Sequence, residues 1–242
     1  MNMKETLRYP VTAADIDATG YMPPRPLIQQ LVLAATFRNR DEGAGKTVLR
    51  AQLAAAWMFR RVKFEQFLRI AEGDELVGFG SGRTECGTEY VLRGEFFKNG
   101  ELAARLDIAM MPVVLKERRK LTCADIEPLY TTQPMNEVPP FGRLPMMADM
   151  AYGADKTITE DDCDENAAHF ASHNYADLVC RETGYWEGEY RMITKMQLDY
   201  VKECVTGDTI KLAKAENGAG YTVQGIHLNG KPCFNAYCEY EA

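Results

Sequence analysis

The residues best equipped for chemistry lie in Asp162-Cys-Asp164-Glu-Asn166-Ala-Ala-His169, read together with Glu203-Cys204 downstream. The first segment carries one of the three histidines in the chain, with carboxylates and an amide just before it. An imidazole and a carboxylate within reach of each other can move protons at a carbonyl substrate. Neither does so unless the chain folds both onto one spot, so the elements around them decide the matter.

Length and composition set the frame. A chain of 242 residues can bury a substantial core as one large domain or two small ones. Charged residues make up 26% and apolar residues 46%, as in ordinary globular proteins. The net charge of −7 argues against nucleic acid as a partner. No apolar run reaches the ~18 residues of a membrane span, so stable membrane insertion is not expected. The first residues, Met-Asn-Met-Lys-Glu-Thr-Leu-Arg, hold no apolar core of a secretory leader. Seven cysteines without a CxxC pair read as reduced thiols of a cytoplasmic protein.

The chain is written twice. Phe64-Glu-Gln-Phe-Leu-Arg-Ile-Ala-Glu-Gly73-Asp74 is echoed by Leu198-Asp-Tyr-Val-Lys-Glu-Cys-Val-Thr-Gly207-Asp208, at an offset of 207 − 73 = 134. Gly87-Thr-Glu-Tyr90, Gly94 and Asn99-Gly100 return as Gly218-Ala-Gly-Tyr221, Gly225 and Asn229-Gly230. Asp15-Ile-Asp17 matches Asp162-Cys-Asp164. Each match alone is weak, but their shared order at a nearly constant spacing marks a duplicated unit.

Each copy has one grammar. An Asp-rich turn leads into a helix, over 26–38 in the first copy and 172–182 in the second. Leu27, Leu31, Ala34 and Ala35 fall at helical spacing. Strands follow over 57–70, 90–97 and 102–114, then over 192–204, 221–228 and 232–240. Both Asn-Gly pairs predict hairpin turns in which either residue takes positive φ. A helix against a curved antiparallel meander is the packing this order allows. The charged, Pro-containing segment 116–145 reads as a linker. The units are thus an N-terminal repeat over 1–115, the linker, and a C-terminal repeat over 146–242.

This pattern resembles the tandem (double) hotdog fold, an α+β class in which a curved antiparallel sheet wraps a long helix. More narrowly, it is similar to the acyl-acyl-carrier-protein (acyl-ACP) thioesterases of plants and bacteria, over nearly the whole chain. The Asp-x-Asn-x-His motif of that family is matched by Asp164, Asn166 and His169, and its later Glu-Cys pair by Glu203-Cys204. One extra alanine separates Asn166 from His169, and Ala171 and Ser172 stand where the family usually shows asparagines.

The resemblance implies hydrolysis of fatty acyl thioesters to free fatty acids, without metal or cofactor, in fatty acid biosynthesis. The partner would be an acyl carrier protein bearing a fatty acyl chain. Glu203 would be the general base, on a long strand that faces the helix start and partly desolvates it. His169 would orient the water or polarise the carbonyl. Asn166 would hold the water or the thioester oxygen, and Asp164 would support either. Backbone N–H groups over 169–172 are candidate oxyanion donors. Cys204 invites a nucleophile reading with His169 as its base, although alternation on a strand would turn it away from the face of Glu203.

The first copy carries no histidine in its turn, Asp17-Ala-Thr19-Gly-Tyr21, and Arg69 stands in the place of Glu203, so one active site per chain is expected. Its freed interior could house the acyl tail, with Met58, Val62, Phe64 and Leu68 as lining candidates beside their role in the core. Lys116, Arg118, Arg119 and Lys120, and separately Arg60, Arg61 and Lys63, are basic clusters that an acidic carrier could meet.

Two metal readings are set aside. His169 and His173 at helical spacing lack a third ligand. Asp162-x-Asp164-x-Asn166 opens like a calcium loop but lacks the glycine and the final glutamate. Three rival functions remain: an acyl-coenzyme A thioesterase, a hydratase or dehydratase on the same fold, and a non-catalytic acyl-binding protein. A homodimer is compatible with all of them.

Overall fold

The computed structural model describes residues 5–41, 45–129, 137–147, 150–163, 169–187 and 191–241. In the first half, β1 (Glu5–Pro10) precedes α1 (Pro24–Asp41) and α2 (Lys46–Leu53). The meander β2 (Ala55–Gln66), β3 (Glu75–Cys86), β4 (Glu89–Lys98) and β5 (Glu101–Val114) follows. A short β6 (Arg119–Lys120) and α3 (Cys123–Ile126) come next. The second half runs β7 (Ala151–Thr157), α4 (Asn174–Glu182), β8 (Ile193–Tyr200), β9 (Thr209–Asn217), β10 (Gly220–His227) and β11 (Pro232–Tyr240). The strands form one antiparallel sheet in the order β1-β3-β4-β5-β2-β8-β11-β10-β9-β7, with β6 paired to β5. This is the tandem hotdog arrangement. No helix among the described residues is long and apolar enough to cross a membrane.

Why α1 lies where it does follows from its sequence. Pro24 and Pro26 sit in its first turn, where a missing N–H leaves no bond unmade. Leu27, Ile28, Leu31, Ala34 and Ala35 make one buried stripe against the sheet. Each large side chain in it contributes about 1.5–3 kcal/mol by leaving water. Small residues set the distance of approach. A Cβ on Gly94 of β4 would stand 2.5 Å from the Leu31 carbonyl oxygen and 2.9 Å from the Ala35 nitrogen.

The duplication is visible bond by bond. Lys63 of β2 pairs with Gln197 of β8, its own counterpart at 197 − 63 = 134. The two halves therefore meet about a local two-fold axis through that pair. Val11 N–H donates to the Asp74 carbonyl and Ile158 N–H to the Asp208 carbonyl, both at 2.8 Å. Met22 N–H donates to the Ile70 carbonyl and Phe170 N–H to the Cys204 carbonyl, again both at 2.8 Å. Each Asp-rich turn begins with a capping box, Thr12 with Asp15 and Thr159 with Asp162.

Some expectations shift. At the first hairpin Asn99 (φ 53°) and Gly100 (φ 84°) both take positive φ; at the second only Gly230 does (φ 79°). There four residues, 228–231, join the strands instead of two, and Gly230 carries the positive φ. The second helix starts at Asn174 rather than 172: His169 and Phe170 are tied into bridges, and residues 172–173 form a turn closed by Asn174 N–H on the Ala171 carbonyl at 2.9 Å. The strand expected over 192–204 ends at Tyr200. Val201 and Lys202 N–H groups both donate to the Cys233 carbonyl, at 2.8 and 3.0 Å, which turns the chain before Glu203.

Residues 137–147 lie across the outer face of the sheet. Leu144 N–H donates to Asp199 Oδ2 at 2.6 Å, and Asn235 Nδ2 donates to the Pro145 carbonyl at 2.9 Å. This cover buries the outward-facing Asp199 and Asn235, and burial raises the Asp199 carboxyl above its ordinary range.

Candidate active site

The turn before α4 is held from two sides. His169 forms an antiparallel bridge with Val205, and Phe170 N–H donates to the Cys204 carbonyl. Ala171 N–H donates to the Asp162 carbonyl at 3.0 Å, and the same oxygen accepts from Asn174 Nδ2 at 2.9 Å. Arg25 Nε reaches across from α1 to Asn174 Oδ1 at 2.8 Å. The backbone at 169–171 is thereby fixed to the turn that carries Glu203. Across it, His169 Nδ1 stands 3.3 Å from Glu203 Oε1.

The two side chains singled out for proton transfer are thus in contact, though not as expected. Glu203 lies on a turn beyond the strand, and its side chain is 54% exposed, so the expected desolvation is absent. Asp164 and Asn166 fall outside the described residues. The amides of Phe170 and Ala171, read as oxyanion donors, are consumed by backbone carbonyls. His169 and His173 do not share a helical face, since α4 begins after both.

Cys204 is 1% exposed and faces away from Glu203. The imidazole it meets is that of His227, with Nε2 at 4.0 Å, rather than that of His169. A hydrogen bond from Cys233 holds the Cys204 thiol below its ordinary range against the effect of burial. Neither His227 nor Cys233 stood out in the sequence. Their link was available only through the Asn229-Gly230 hairpin, which folds β10 back on β11.

The first half supplies a direct comparison. Tyr21 bridges Ala71 as His169 bridges Val205, and 71 + 134 = 205. Arg69 lies over the Tyr21 ring, 5.5 Å from its centroid, where Glu203 meets His169. Arg69 also pairs with Glu241. A cation on a phenol ring cannot take a proton from water, so at this position the first copy has no counterpart of the His169–Glu203 contact.

The lining candidates part company. Val62 and Phe64 are buried in the core at 1% and 0% exposure, and Leu68 packs against it. Met58 is 37% exposed on the outer face. The register of β2 against β5 shifts between Phe59 and Arg61, and one extra residue there reverses the alternation. Of the basic clusters, Arg61 is committed to Glu89 (2.5 and 3.3 Å) and stacks on Phe141. The run Lys116, Arg118, Arg119 and Lys120 is exposed.

A cavity of about 340 Å³ opens beside α4, lined by Arg25, Lys156, Phe170, Asp177, Arg181 and Trp186. Burial there raises the Asp177 carboxyl to about 6, although Arg25 opposes the shift.

No family model matches the sequence, and no curated protein matches it. Solved structures do. One neighbour is an acyl-ACP thioesterase from Bacteroides thetaiotaomicron, at TM-score 0.82 and 15% identity over 97% of this chain and 96% of the other. A second is a 12:0-ACP thioesterase from Umbellularia californica, at TM-score 0.80 and 15% identity, with the same coverages of 97% and 96%. A MaoC-like dehydratase from Phytophthora capsici matches at TM-score 0.52 and 10% identity over 76% and 72%. With its helix-and-meander unit repeated and 97% of its length superimposable on such structures, the chain has the double-hotdog fold that acyl-ACP thioesterases also adopt.

Proposed function

We propose that this protein is a thioester hydrolase that acts on fatty acyl groups carried by acyl carrier protein. The reading rests on one observation, the 3.3 Å contact between His169 Nδ1 and Glu203 Oε1 at the head of α4. Glu203 supplies the negative charge that a general base needs, and its exposed carboxylate is open to a water. His169, pinned by its backbone bridge to Val205, presents its ring to the same water or to the thioester carbonyl. Water adds to the carbonyl as the dyad takes its proton, and the dyad then returns that proton to the departing thiolate. Asp164 and Asn166, just ahead of His169 in sequence, are assigned to positioning the imidazole and the thioester oxygen. The neighbouring structures named for acyl-ACP hydrolysis support the carrier. The exposed Lys116–Lys120 run is the surface proposed to meet its acidic helices.

A His–carboxylate pair can also abstract a proton beside a carbonyl, and a dehydratase stands among the structural neighbours. One experiment separates the readings. Matched acyl groups on carrier protein and on coenzyme A are incubated with the enzyme, and free thiol and product mass are followed together. Free acid with faster release from the carrier protein supports the proposal. Preference for coenzyme A would move the substrate assignment, and an enoyl or hydroxyacyl thioester with no free thiol would overturn hydrolysis.

A further inference from the structure

Behind the dyad, on the buried side of the same turn, Cys204, His227 and Cys233 bring their sulfur and nitrogen atoms within 4.8 Å of one another. All three are buried, at 1%, 7% and 0% exposure. We infer that these residues form a zinc site that clamps the turn carrying Glu203.

The donor set points to the metal. Two thiolates and an imidazole are soft ligands of the kind that select zinc. Zinc–sulfur bonds of about 2.3 Å and zinc–nitrogen bonds of about 2.0 Å in a tetrahedron put donors roughly 3.5–3.8 Å apart. Cys204 Sγ and His227 Nε2 stand 4.0 Å apart, so small side-chain rotations close the site. A divalent ion between two thiolates and a neutral imidazole carries no net charge, which suits a buried position. The imidazole is oriented for the task. Its Nδ1 lies on the side of Asp208 Oδ2, 3.9 Å away and beyond hydrogen-bond length, which leaves Nε2 turned to the sulfurs.

The surroundings are shaped for it. Gly225 leaves room for the Phe234 ring, which a Cβ would meet at 2.2 Å, and beside it for Cys233 Sγ at 2.8 Å. The Cys233 carbonyl gathers Val201 and Lys202, which brings Cys204 over the hairpin. The fourth position of the tetrahedron would be filled by a water. The matching residue in the first half is Ile70 (204 − 134), which is fully buried, so the cluster belongs to the second half alone.

The full-length chain, purified with reductant, is loaded with zinc, desalted, and its metal content measured. Cobalt replaces zinc in a parallel sample to read sulfur-to-metal charge transfer. One metal per chain is expected, with thiolate charge-transfer bands. His227→Gln and Cys233→Ser should each lose the bound metal, whereas Cys180→Ser, a buried thiol in α4, should keep it. Circular dichroism establishes that each variant is folded. Folded, reduced wild-type protein that takes up no metal would overturn the site. So would full occupancy in His227→Gln, or cobalt spectra without thiolate bands. None of these readings depends on thioester hydrolysis.

Discussion

Replacing Glu203 with glutamine is the sharpest test of the proton-transfer dyad. The amide oxygen that Glu203→Gln introduces can still accept a hydrogen bond from His169 Nδ1, so the 3.3 Å contact survives in shape. What is lost is the negative charge and the capacity to take a proton. General-base assistance contributes roughly 10²–10⁴-fold, equivalent to about 3–5 kcal/mol of transition-state free energy. The stability cost should be far smaller. With side chains 34% and 54% exposed, an open polar contact of this kind is worth about 0–1 kcal/mol. The expected signature is therefore a fall in kcat of at least about 100-fold with KM and melting temperature nearly unchanged. Thiol release from acyl carrier protein at saturating substrate, together with thermal melts, measures both. A kcat that stays near the wild-type value would refute the assignment. A melting temperature that falls along with kcat would mean that Glu203 supports the turn rather than the chemistry.

Other outcomes follow from the same geometry. Asp177 has its carboxyl raised to about 6 mainly by burial, so the folded state holds that proton more tightly than the unfolded chain does. Its contribution is present in full below the ordinary carboxylate pKa and is lost as pH rises to about 6. Since the side chain is 36% exposed, solvent screening reduces the effect to about 1 kcal/mol. Asp177→Asn should thus raise the melting temperature near pH 7 by about 2–4 °C, and little at pH 4; an unchanged difference between the two pH values would sink this account. Gly94→Ala forces a methyl into the backbone of α1 and should cost about 1–3 kcal/mol in urea denaturation; an unshifted midpoint would show that the helix yields freely. Arg69→Ala, in the first-half counterpart of the dyad, should leave turnover at the wild-type value, and a large loss would mean that both halves take part.

Much of this was legible in the residues. The 134-residue echo led to the right fold because Gly, Asp and Asn-Gly positions encode turns locally, and turns fix the order of strands. His169 and Glu203 were legible as a pair because both match motifs of the family the sequence resembles, and the repeat added that Arg69 stands in the place of Glu203. The lost details are those set by long-range contacts. The Cys233 carbonyl ends β8 at Tyr200 from more than thirty residues away in sequence, and nothing near Tyr200 signals it. The face of Met58 turns on a bulge at Arg60, and alternation counted along the sequence passes straight over it. His227 and Cys233 were separable from core residues only by knowing that Cys204 lands beside them.

The pairing of Lys63 with Gln197 has a historical consequence. A seam where equivalent positions face each other is what two separate, identical subunits would have shared before one gene encoded both. While the subunits were identical, any substitution struck both copies at once. Joined end to end, the copies answer to selection independently, so one can hold an arginine over a tyrosine where the other sets a glutamate against a histidine, while the seam between them had no reason to change.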